Sequence, residues 1–197
     1  MKQRVLRIGV FGGTFDPPHI GHLIIAEQAR RQLRLDKVLF VPAFLPPHKK
    51  GRTSASALQR LAMLQKAVRG VEGLSVEPIE IDRKGTSYTV DTLKELKTKF
   101  NRSRFFLILG GDNFVQFKSW KSVREIRRLA TVAVYHRNKL TTGARNGKIG
   151  SAVLLRGTLL GISSTLIRQK IRNGESVRFL VPPSVERYIR TYRLYSH

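Results

Sequence analysis

Cysteine is absent from this 197-residue chain, which excludes disulfide bonds and cysteine-based metal sites. Long hydrophobic runs are also missing, since no apolar stretch approaches the roughly 18 to 20 residues that a membrane-spanning helix needs. The apolar stretch at residues 5–11 is too short for the hydrophobic region of a signal peptide and runs directly into a glycine-rich segment. These absences predict a cytoplasmic protein that does not associate with a membrane.

Acidic residues are scarce, because 13 Asp and Glu face 37 Lys and Arg, giving a net charge of +24. No acid occurs between residues 126 and 174. Such a field attracts anionic substrates and can bind nucleic acid without sequence specificity. The chain nevertheless lacks the aromatic or zinc-finger motifs of dedicated nucleic-acid modules. A generally cationic surface is the simpler interpretation, and nonspecific nucleic-acid binding stays open.

Short apolar runs alternate with amphipathic runs along the chain, and 41% of the residues are hydrophobic. That composition and pattern predict one domain over residues 1–197, with a Rossmann-like, doubly wound parallel α/β sheet and C-terminal helices. The predicted strands are residues 5–11, 37–42, 74–81, 104–109, 131–135 and 152–155. The predicted helices are residues 19–35, 57–68, 88–100, 122–129, 163–171 and 182–192, and Thr89 or Ser87 is expected to cap the helix at 88–100. Residues 138–150, rich in Gly, Asn, Thr and Lys, are predicted to form a mobile loop.

The segment GGTFDPPHIGH at residues 12–22 connects the first predicted strand to the first predicted helix. Gly12 and Gly13 remove side chains that would keep a phosphate from the backbone N–H groups. The start of the helix adds donors and the positive end of its dipole. His19 and His22 share one face of the first turn, because they are three residues apart. The segment predicts a polyphosphate site, although it is neither a dinucleotide fingerprint nor a P-loop.

A second phosphate-binding element is predicted at residues 161–168, GISSTLIR. Ser163 and Ser164 place hydroxyl and N–H groups at a helix start, where one of them is expected to cap the helix. The Arg168 guanidinium, about one turn further along, can bind phosphate oxygens through two N–H groups. An ordinary serine-rich helix cap explains this segment equally well when it is considered alone.

His19-Ile20-Gly21-His22 resembles the HxGH signature of nucleotidylyltransferases, and the ISSTLIR segment resembles their second signature. Further matching segments follow in the same order: Pro46-Pro47-His48-Lys49, SYTVDTL at 87–93, Leu109-Gly110-Gly111-Asp112 and Trp120. Over nearly its full length the chain resembles the bacterial nicotinate-nucleotide adenylyltransferases. The resemblance implies adenylyl transfer from ATP to nicotinate mononucleotide, giving nicotinate adenine dinucleotide (deamido-NAD) and pyrophosphate in NAD biosynthesis.

The resemblance also implies residue roles. Catalytic roles fall to His19, His22 and Arg168. ATP contacts are expected from Gly12, Gly13, Thr14, Phe15, His19, His22, Asp112, Ile162, Ser163, Ser164 and Arg168. Nicotinate mononucleotide contacts are expected from Lys49, Tyr88, Thr89 and Trp120, with Trp120 stacking on the pyridine ring and Thr89 donating to its carboxylate. Trp120 and Tyr88 can instead be packing residues, and Asp112 can be an ordinary turn residue.

The implied chemistry needs no general base, because the acceptor phosphate is largely dianionic at neutral pH. Mg²⁺ is expected to bind through the ATP phosphates, since the sequence offers no carboxylate cluster for a metal site of its own. No covalent intermediate is expected. The oligomeric state, monomer or homodimer, stays open.

Several alternatives remain. A related enzyme can use nicotinamide mononucleotide or phosphopantetheine as the acceptor, although SYTVDTL and Trp120 argue against phosphopantetheine. An RNA-binding protein on the same fold is supported only by the net charge, and a tRNA-synthetase core lacks its usual Lys-Met-Ser-Lys-Ser loop. Arg137-Asn138-Lys139 stands where the family usually has Arg-Pro-Gly, so a role for Arg137 in the adenosine site is open.

Overall fold

In the part of the chain that the structure describes, the centre of the protein is a seven-stranded sheet built from the apolar runs of the sequence. The computed structural model describes residues 4–47, 53–135, 148–149, 151–157 and 161–196. The strands are β1 (Leu6–Gly13), β2 (Lys37–Pro42), β3 (Leu74–Val76), β4 (Ser103–Gly110), β5 (Ala130–Tyr135), β6 (Lys148–Ile149) and β7 (Ala152–Leu155). Their spatial order is β3-β2-β1-β4-β5-β7-β6, and only the edge pair β6–β7 is antiparallel. The strand order therefore reverses between β1 and β4, where open α/β sheets bind their ligands.

Helices cover both faces of the sheet. Among the described residues they are α1 (Ile20–Gln32), α2 (Ala57–Val68), α3 (Ile79–Arg83), α4 (Thr89–Lys99), α5 (Gly111–Val115), α6 (Val123–Leu129), α7 (Ser164–Arg172) and α8 (Pro183–Thr191), with a 3₁₀ turn at Phe117–Ser119. Alternation along β4 divides the core: Phe105 and Leu107 face α4 and α6, whereas Phe106 and Ile108 face α1 and α2. The predicted doubly wound α/β architecture is confirmed.

A third apolar cluster attaches the C-terminal helices to α2. Met63 of α2 packs with Ile167 of α7, with Val185 and Ile189 of α8, and with Tyr195 near the C-terminus. All of these side chains are buried. The cluster holds α7 beside the loop that follows β1, on the α2 side of the sheet.

Some predicted elements are wrong. The predicted strand 74–81 ends at Val76, and residues 79–83 form α3 instead. Pro78 is the N-cap of α3 and has no N–H for a strand ladder, which explains the break. The sequence analysis also missed the helix α5, which begins directly after β4. The strand β6 lies within the predicted loop 138–150, and most of that segment is outside the described residues.

Helix capping follows the predictions in one of two places. The Ser163 hydroxyl caps α7 by accepting a hydrogen bond from the backbone N–H of Leu166 at 3.1 Å. The expected cap of α4 by Ser87 or Thr89 is wrong, because Tyr88 occupies the cap position and provides no side-chain cap. In the part of the chain that the structure describes, no helix has the length and apolarity to span a membrane.

Candidate active site

A cavity of about 570 Å³ opens at the carboxyl ends of β1, β2 and β4. The loops after these strands meet there because the three strands are parallel and adjacent. Ten of the residues expected from the sequence to bind substrate line it: Gly12, Gly13, Thr14, Phe15, His22, Tyr88, Thr89, Asp112, Trp120 and Ser164. The structure therefore brings both halves of the expected site to one cavity.

Gly13, the last residue of β1, leaves room for the ring of Phe15 in the loop that follows. Phe15 adopts a left-handed conformation with a φ of 51°, and its buried ring folds back over the end of β1. A Cβ atom on Gly13 would lie 2.9 Å from this ring, so a larger residue would displace Phe15. The Phe15 ring also contacts the imidazole of His22 edge-on, with ring centroids 5.0 Å apart. Phe15 thus fixes both the strand end and the His22 ring.

The histidine pair sits at the start of α1. His19 is the N-cap residue, and its backbone N–H donates to Nδ1 of His22 at 3.1 Å. The two rings stack with centroids 3.6 Å apart. Because Nδ1 of His22 accepts this bond, Nε2 is the nitrogen that carries the proton of the neutral ring. His22 lines the cavity, whereas His19 is only 2% exposed and lies behind it.

Gly21, between the two histidines, has a packing role of its own. A Cβ atom at this position would lie 3.0 Å from Nδ1 of His19. The glycine therefore lets the His19 ring lie close to the first turn of α1 and stack on His22. This close approach explains why the position before His22 is a glycine.

Helix α7 is bonded to the loop after β1. Arg168 donates through Nη1 to the backbone oxygen of Asp16 at 2.7 Å, and the Ser164 hydroxyl donates to the backbone oxygen of Pro17 at 2.9 Å. Ser164 lines the cavity, but Ile162, Ser163 and Arg168 do not. Ile162 packs against the C-terminal cluster instead. The two predicted phosphate-binding elements are therefore in direct contact, with Ser164 alone among these four on the cavity wall.

A buried carboxylate that the sequence did not single out organises the same loop. Asp16 accepts hydrogen bonds from the backbone N–H groups of Ser54 (2.8 Å) and Ala55 (3.2 Å) and from the Tyr195 hydroxyl (2.7 Å). Burial and the neighbouring Asp16 raise the pKa of Tyr195, so its hydroxyl stays a donor. No sequence signal links Tyr195 to Asp16, because 179 positions separate them.

Arg60 of α2 is the buried counterpart of Asp16. Its guanidinium donates to the backbone oxygens of Thr14 (2.8 Å), Phe44 (3.2 Å) and Ala55 (3.3 Å). Burial lowers the pKa of Arg60, and the Asp16 carboxylate opposes that shift. Arg60 joins the loops after β1 and β2, although in the sequence it resembles any surface arginine of an amphipathic helix.

Another part of the cavity wall carries the aromatic residues Tyr88 and Trp120. Tyr88 is the N-cap residue of α4, and Thr89 is the first residue of that helix. Trp120 is half-buried and packs edge-on against Phe117, with ring centroids 5.4 Å apart. The Lys121 ammonium lies 4.4 Å from the centre of the Tyr88 ring. An apolar wall edged by a helix start suits a flat ring that bears an anionic group.

Three more polar residues in this wall, Glu80, Ser87 and Thr92, were not among the expected site residues. Glu80 is 6% exposed and accepts a hydrogen bond from the Thr92 hydroxyl at 2.6 Å. Burial raises the pKa of the Glu80 carboxyl, while its hydrogen bonds with Thr92 and Ser87 oppose that rise. The sequence signal available for them was weak: an acid within an alternating segment, and hydroxyls within SYTVDTL.

Asp112 lies in the first turn of α5, where it is exposed and lines the cavity. Lys49 and Arg137 lie outside the described residues, although Pro47, two positions before Lys49, lines the cavity. The side chains that the structure describes include no group of three or more His, Asp or Glu that could hold a metal ion.

A helix with a histidine at its N-cap, starting at the switch point of a parallel sheet, defines an α/β protein that binds its ligand at this edge, and the relatives of the chain are nucleotidyltransferases. The profile of the family described as "Cytidylyltransferase-like" matches residues 10–170. A protein of Exiguobacterium sibiricum named "Probable nicotinate-nucleotide adenylyltransferase" is 44% identical, over 97% of this chain and all of the relative. One of Halalkalibacterium halodurans with the same name is 42% identical, over 96% of this chain and 91% of the relative. The chain belongs to the nicotinate-nucleotide adenylyltransferase family.

Solved structures support the fold. Plasmodium falciparum nicotinic acid mononucleotide adenylyltransferase complexed with NaAD superposes with a TM-score of 0.79 over 96% of this chain and 97% of that protein. The same enzyme complexed with APC gives a TM-score of 0.77 over the same shares of the two chains. Their sequence identities to this chain are 18% and 17%, so these comparisons show a shared fold.

Proposed function

We propose that this protein transfers the adenylyl group of ATP to nicotinate mononucleotide, forming deamido-NAD and releasing pyrophosphate in NAD biosynthesis. The observation that carries the proposal is the single cavity that joins the histidine and glycine loop to Tyr88, Thr89 and Trp120. Membership of the nicotinate-nucleotide adenylyltransferase family supports the same reaction.

The reaction is a single displacement at phosphorus. An oxygen of the nicotinate mononucleotide phosphate forms a bond to the α-phosphorus of ATP, and the bond between that phosphorus and the pyrophosphate oxygen breaks. No proton has to be removed, because a phosphate monoester with a second pKa near about 6 is largely dianionic at pH 7. Catalysis then consists of positioning the two phosphates and stabilising negative charge on the leaving group.

His22 is the group that we place on the reacting phosphates. Its Nδ1 is held by the His19 N–H, so the neutral ring offers an Nε2 proton to an oxygen that gains charge. Gly12, Gly13 and Thr14 add backbone and hydroxyl donors on the same wall of the cavity. His19, which is buried and stacked on His22, acts here by positioning that ring, whereas the sequence alone suggested direct phosphate contact for both.

The start of α7 is proposed to bind the β and γ phosphates. Ser164 is already on the cavity wall, and the first N–H groups of α7 have no partners within the helix. Arg168 keeps one nitrogen on the backbone oxygen of Asp16 at 2.7 Å. Since a guanidinium has several N–H donors, its remaining ones can bind phosphate while this contact persists. Ile162 supports the helix start through packing, and Asp112 is proposed to accept ribose hydroxyls of ATP.

The acceptor is proposed to bind at the aromatic wall. Trp120 offers a ring face to the pyridine, Tyr88 closes the pocket, and Thr89 at the start of α4 offers donors for the nicotinate carboxylate. Lys49 is proposed for the acceptor phosphate, because Pro47, two positions earlier in the sequence, lines the cavity. A carboxamide has only one acceptor oxygen and would place its NH2 group against one of these donors. The pocket is therefore expected to favour nicotinate over nicotinamide.

A divalent metal, in particular Mg²⁺, is proposed to enter with ATP. Of the carboxylates on the cavity wall, Asp16 and Glu80 are buried and hydrogen-bonded within the protein, whereas Asp112 is exposed. The donor set therefore fits a metal held by ATP oxygens and water, with Asp112 available nearby. Such a metal neutralises charge on the ATP phosphates. A cytoplasmic location, nonspecific nucleic-acid binding and the choice between monomer and homodimer stay predictions.

The direct test is pyrophosphate release by the purified protein with ATP and Mg²⁺. Nicotinate mononucleotide, nicotinamide mononucleotide and phosphopantetheine are supplied in separate assays at matched concentration. We expect release with nicotinate mononucleotide, far less with its amide and none with phosphopantetheine. Two results would contradict the proposal. One is pyrophosphate release with phosphopantetheine but with neither mononucleotide. The other is ATP-independent RNA binding by a protein that releases no pyrophosphate with any acceptor.

A further inference from the structure

Glu80 is a buried acid in the wall of the acceptor pocket for which the proposed reaction has no use. It belongs to the short helix α3, is 6% exposed and lines the cavity. A buried carboxylate is costly unless it is paired and hydrogen-bonded. The nearby Arg83 guanidinium pairs instead with Glu95 and donates to the Thr92 hydroxyl oxygen at 3.2 Å. The hydrogen bonds of Glu80 to other residues are therefore the evidence for its function.

The Glu80 carboxylate is one member of a hydrogen-bond relay that joins three parts of the chain. The Thr92 hydroxyl, in the second turn of α4, donates to Glu80 Oε1 at 2.6 Å. The Ser87 hydroxyl also interacts with the Glu80 carboxyl and favours its charged form, and its oxygen accepts from the backbone N–H of Phe44 at 2.9 Å. The relay thus runs from the loop after β2, through Ser87 and Glu80, to α4.

The relay encloses the residues that we place on the pyridine ring. Ser87 immediately precedes Tyr88 and Thr89, and its backbone N–H donates to the Leu45 oxygen at 3.0 Å. On the other side, the backbone oxygen of Tyr88 accepts from the Thr92 N–H at 3.2 Å and lies 3.3 Å from the Thr92 hydroxyl. Both ends of the Tyr88–Thr89 pair are therefore fixed by residues that bind Glu80.

We propose that Glu80 is a positioning residue for nicotinate mononucleotide: through Ser87 and Thr92 it holds Tyr88 and Thr89 in the conformation that receives the acceptor. This inference rests on the proposed function. Glu80 makes no contact with the reacting phosphates in this account, so its effect is on acceptor binding. On the ATP side, the loop after β1 is held by other bonds, from Arg60 to the Thr14 oxygen and from Arg168 to the Asp16 oxygen.

Glu80→Gln is the variant that tests the inference. Glutamine has nearly the same shape and still accepts from Thr92, but its amide group presents donors where the Ser87 hydroxyl needs an acceptor. Loss of one buried hydrogen bond of about 1.4 kcal/mol corresponds to about a tenfold weaker binding of nicotinate mononucleotide. We expect KM for ATP to change by less than about twofold, a split that general destabilisation does not produce.

Glu77→Gln is the matched control. Glu77 is also 6% exposed and lies three residues earlier, but it pairs with Lys99 at 2.9 Å and is not on the cavity wall. The Glu77→Gln substitution is expected to leave the affinities for ATP and for nicotinate mononucleotide unchanged. Thr92→Val supplies a second test of the relay without altering Glu80, and it is expected to weaken acceptor binding in the same direction.

Binding is measured without turnover, by titrating nicotinate mononucleotide while following the fluorescence of Trp120, the only tryptophan of the chain. Weaker binding in Glu80→Gln and Thr92→Val but not in Glu77→Gln is the expected result. Unchanged acceptor affinity in both relay variants, equal losses for ATP and acceptor, or an equal loss in the control would overturn the inference. A wild-type protein that binds the acceptor but forms no dinucleotide would refute the proposed reaction and leave the positioning role standing.

Discussion

At the scale of the residue, the stacked histidines show how a short motif is given one geometry. The His19 N–H fixes Nδ1 of His22, the Phe15 ring contacts its edge, and Gly21 makes room for the His19 ring. Each contact restricts the orientation of the His22 imidazole before any substrate binds. A donor that is already aligned costs no reorganisation when charge develops on the leaving pyrophosphate.

Replacing His22 by alanine tests this role. Because the imidazole is proposed to donate to charge that grows in the transition state, kcat is expected to fall by about a hundredfold to a thousandfold. KM for nicotinate mononucleotide is expected to change little, since the acceptor is proposed to bind to other residues, Tyr88, Thr89 and Trp120. Steady-state kinetics at saturating ATP provide the measurement, with the unfolding temperature as a check on folding. A kcat equal to that of the wild type would remove His22 from the reaction.

At the scale of the element, helix α1 carries an acid and two bases on one exposed face. Glu27 pairs with Arg30 at 2.8 Å and with Arg31 at 2.5 Å. Hydrogen bonds from Arg30 and Arg31 lower the pKa of Glu27 from 4.5 to about 2. Since the folded pKa is below the unfolded one, the stabilisation is present above pH 4.5 and is lost as the pH falls toward 2.

Glu27→Gln is therefore expected to lower the free energy of unfolding at pH 7 by less than about 1 kcal/mol, because the pair is partly exposed and screened by solvent. The difference between variant and wild type is expected to shrink at pH 3, where the unfolded carboxylate is largely protonated. Urea unfolding at the two pH values measures both differences. A larger difference at pH 3 than at pH 7 would contradict the assigned shift.

The C-terminal segment is the second element with a testable function, because Tyr195 reaches back to Asp16 in the loop after β1. Tyr195→Phe removes one buried hydroxyl donor and is expected to cost about 1 to 2 kcal/mol of stability. We also expect kcat to fall, since Asp16 aligns the loop that binds the ATP phosphates. Thermal unfolding and steady-state kinetics measure the two effects.

Tyr192→Phe is the control for this prediction. Tyr192 is 58% exposed and packs at a tilt against Tyr188, with ring centroids 4.4 Å apart. Loss of its hydroxyl is expected to change neither stability nor kcat measurably. If Tyr192→Phe and Tyr195→Phe behave alike, the bond between Tyr195 and Asp16 does not support the loop.

At the scale of the whole molecule, local sequence patterns were enough to predict the sheet and ten of the residues that line the cavity. Contacts between residues far apart in the sequence could not be predicted from such patterns. The apolar strands, the HxGH segment and SYTVDTL are each formed by consecutive residues. Because the predicted strands are parallel, the loops after the first, second and fourth strands are expected at one edge of the sheet. The prediction of one strand over residues 74–81 was wrong because apolar residues alternate from β3 through Pro78 into α3. The five-residue helix α3 is too short to show a helical periodicity in the sequence.

The buried polar residues of the site illustrate the other limit. Arg60 is fully buried beneath two loops, yet charged residues of an amphipathic helix are usually exposed. Asp16, Arg60 and Tyr195 meet only after the chain has folded, so no spacing in the sequence reveals their contact. The net charge of +24 follows from composition, but none of the described contacts assigns it a function.

The central claim, adenylyl transfer to nicotinate mononucleotide, is tested most directly by competition. The protein is supplied with ATP, Mg²⁺ and equal concentrations of nicotinate and nicotinamide mononucleotides in one reaction, and both dinucleotides are quantified by mass spectrometry. The initial product ratio equals the ratio of the two kcat/KM values. We predict deamido-NAD as the dominant product. Equal amounts, an excess of NAD, or neither dinucleotide would contradict the account.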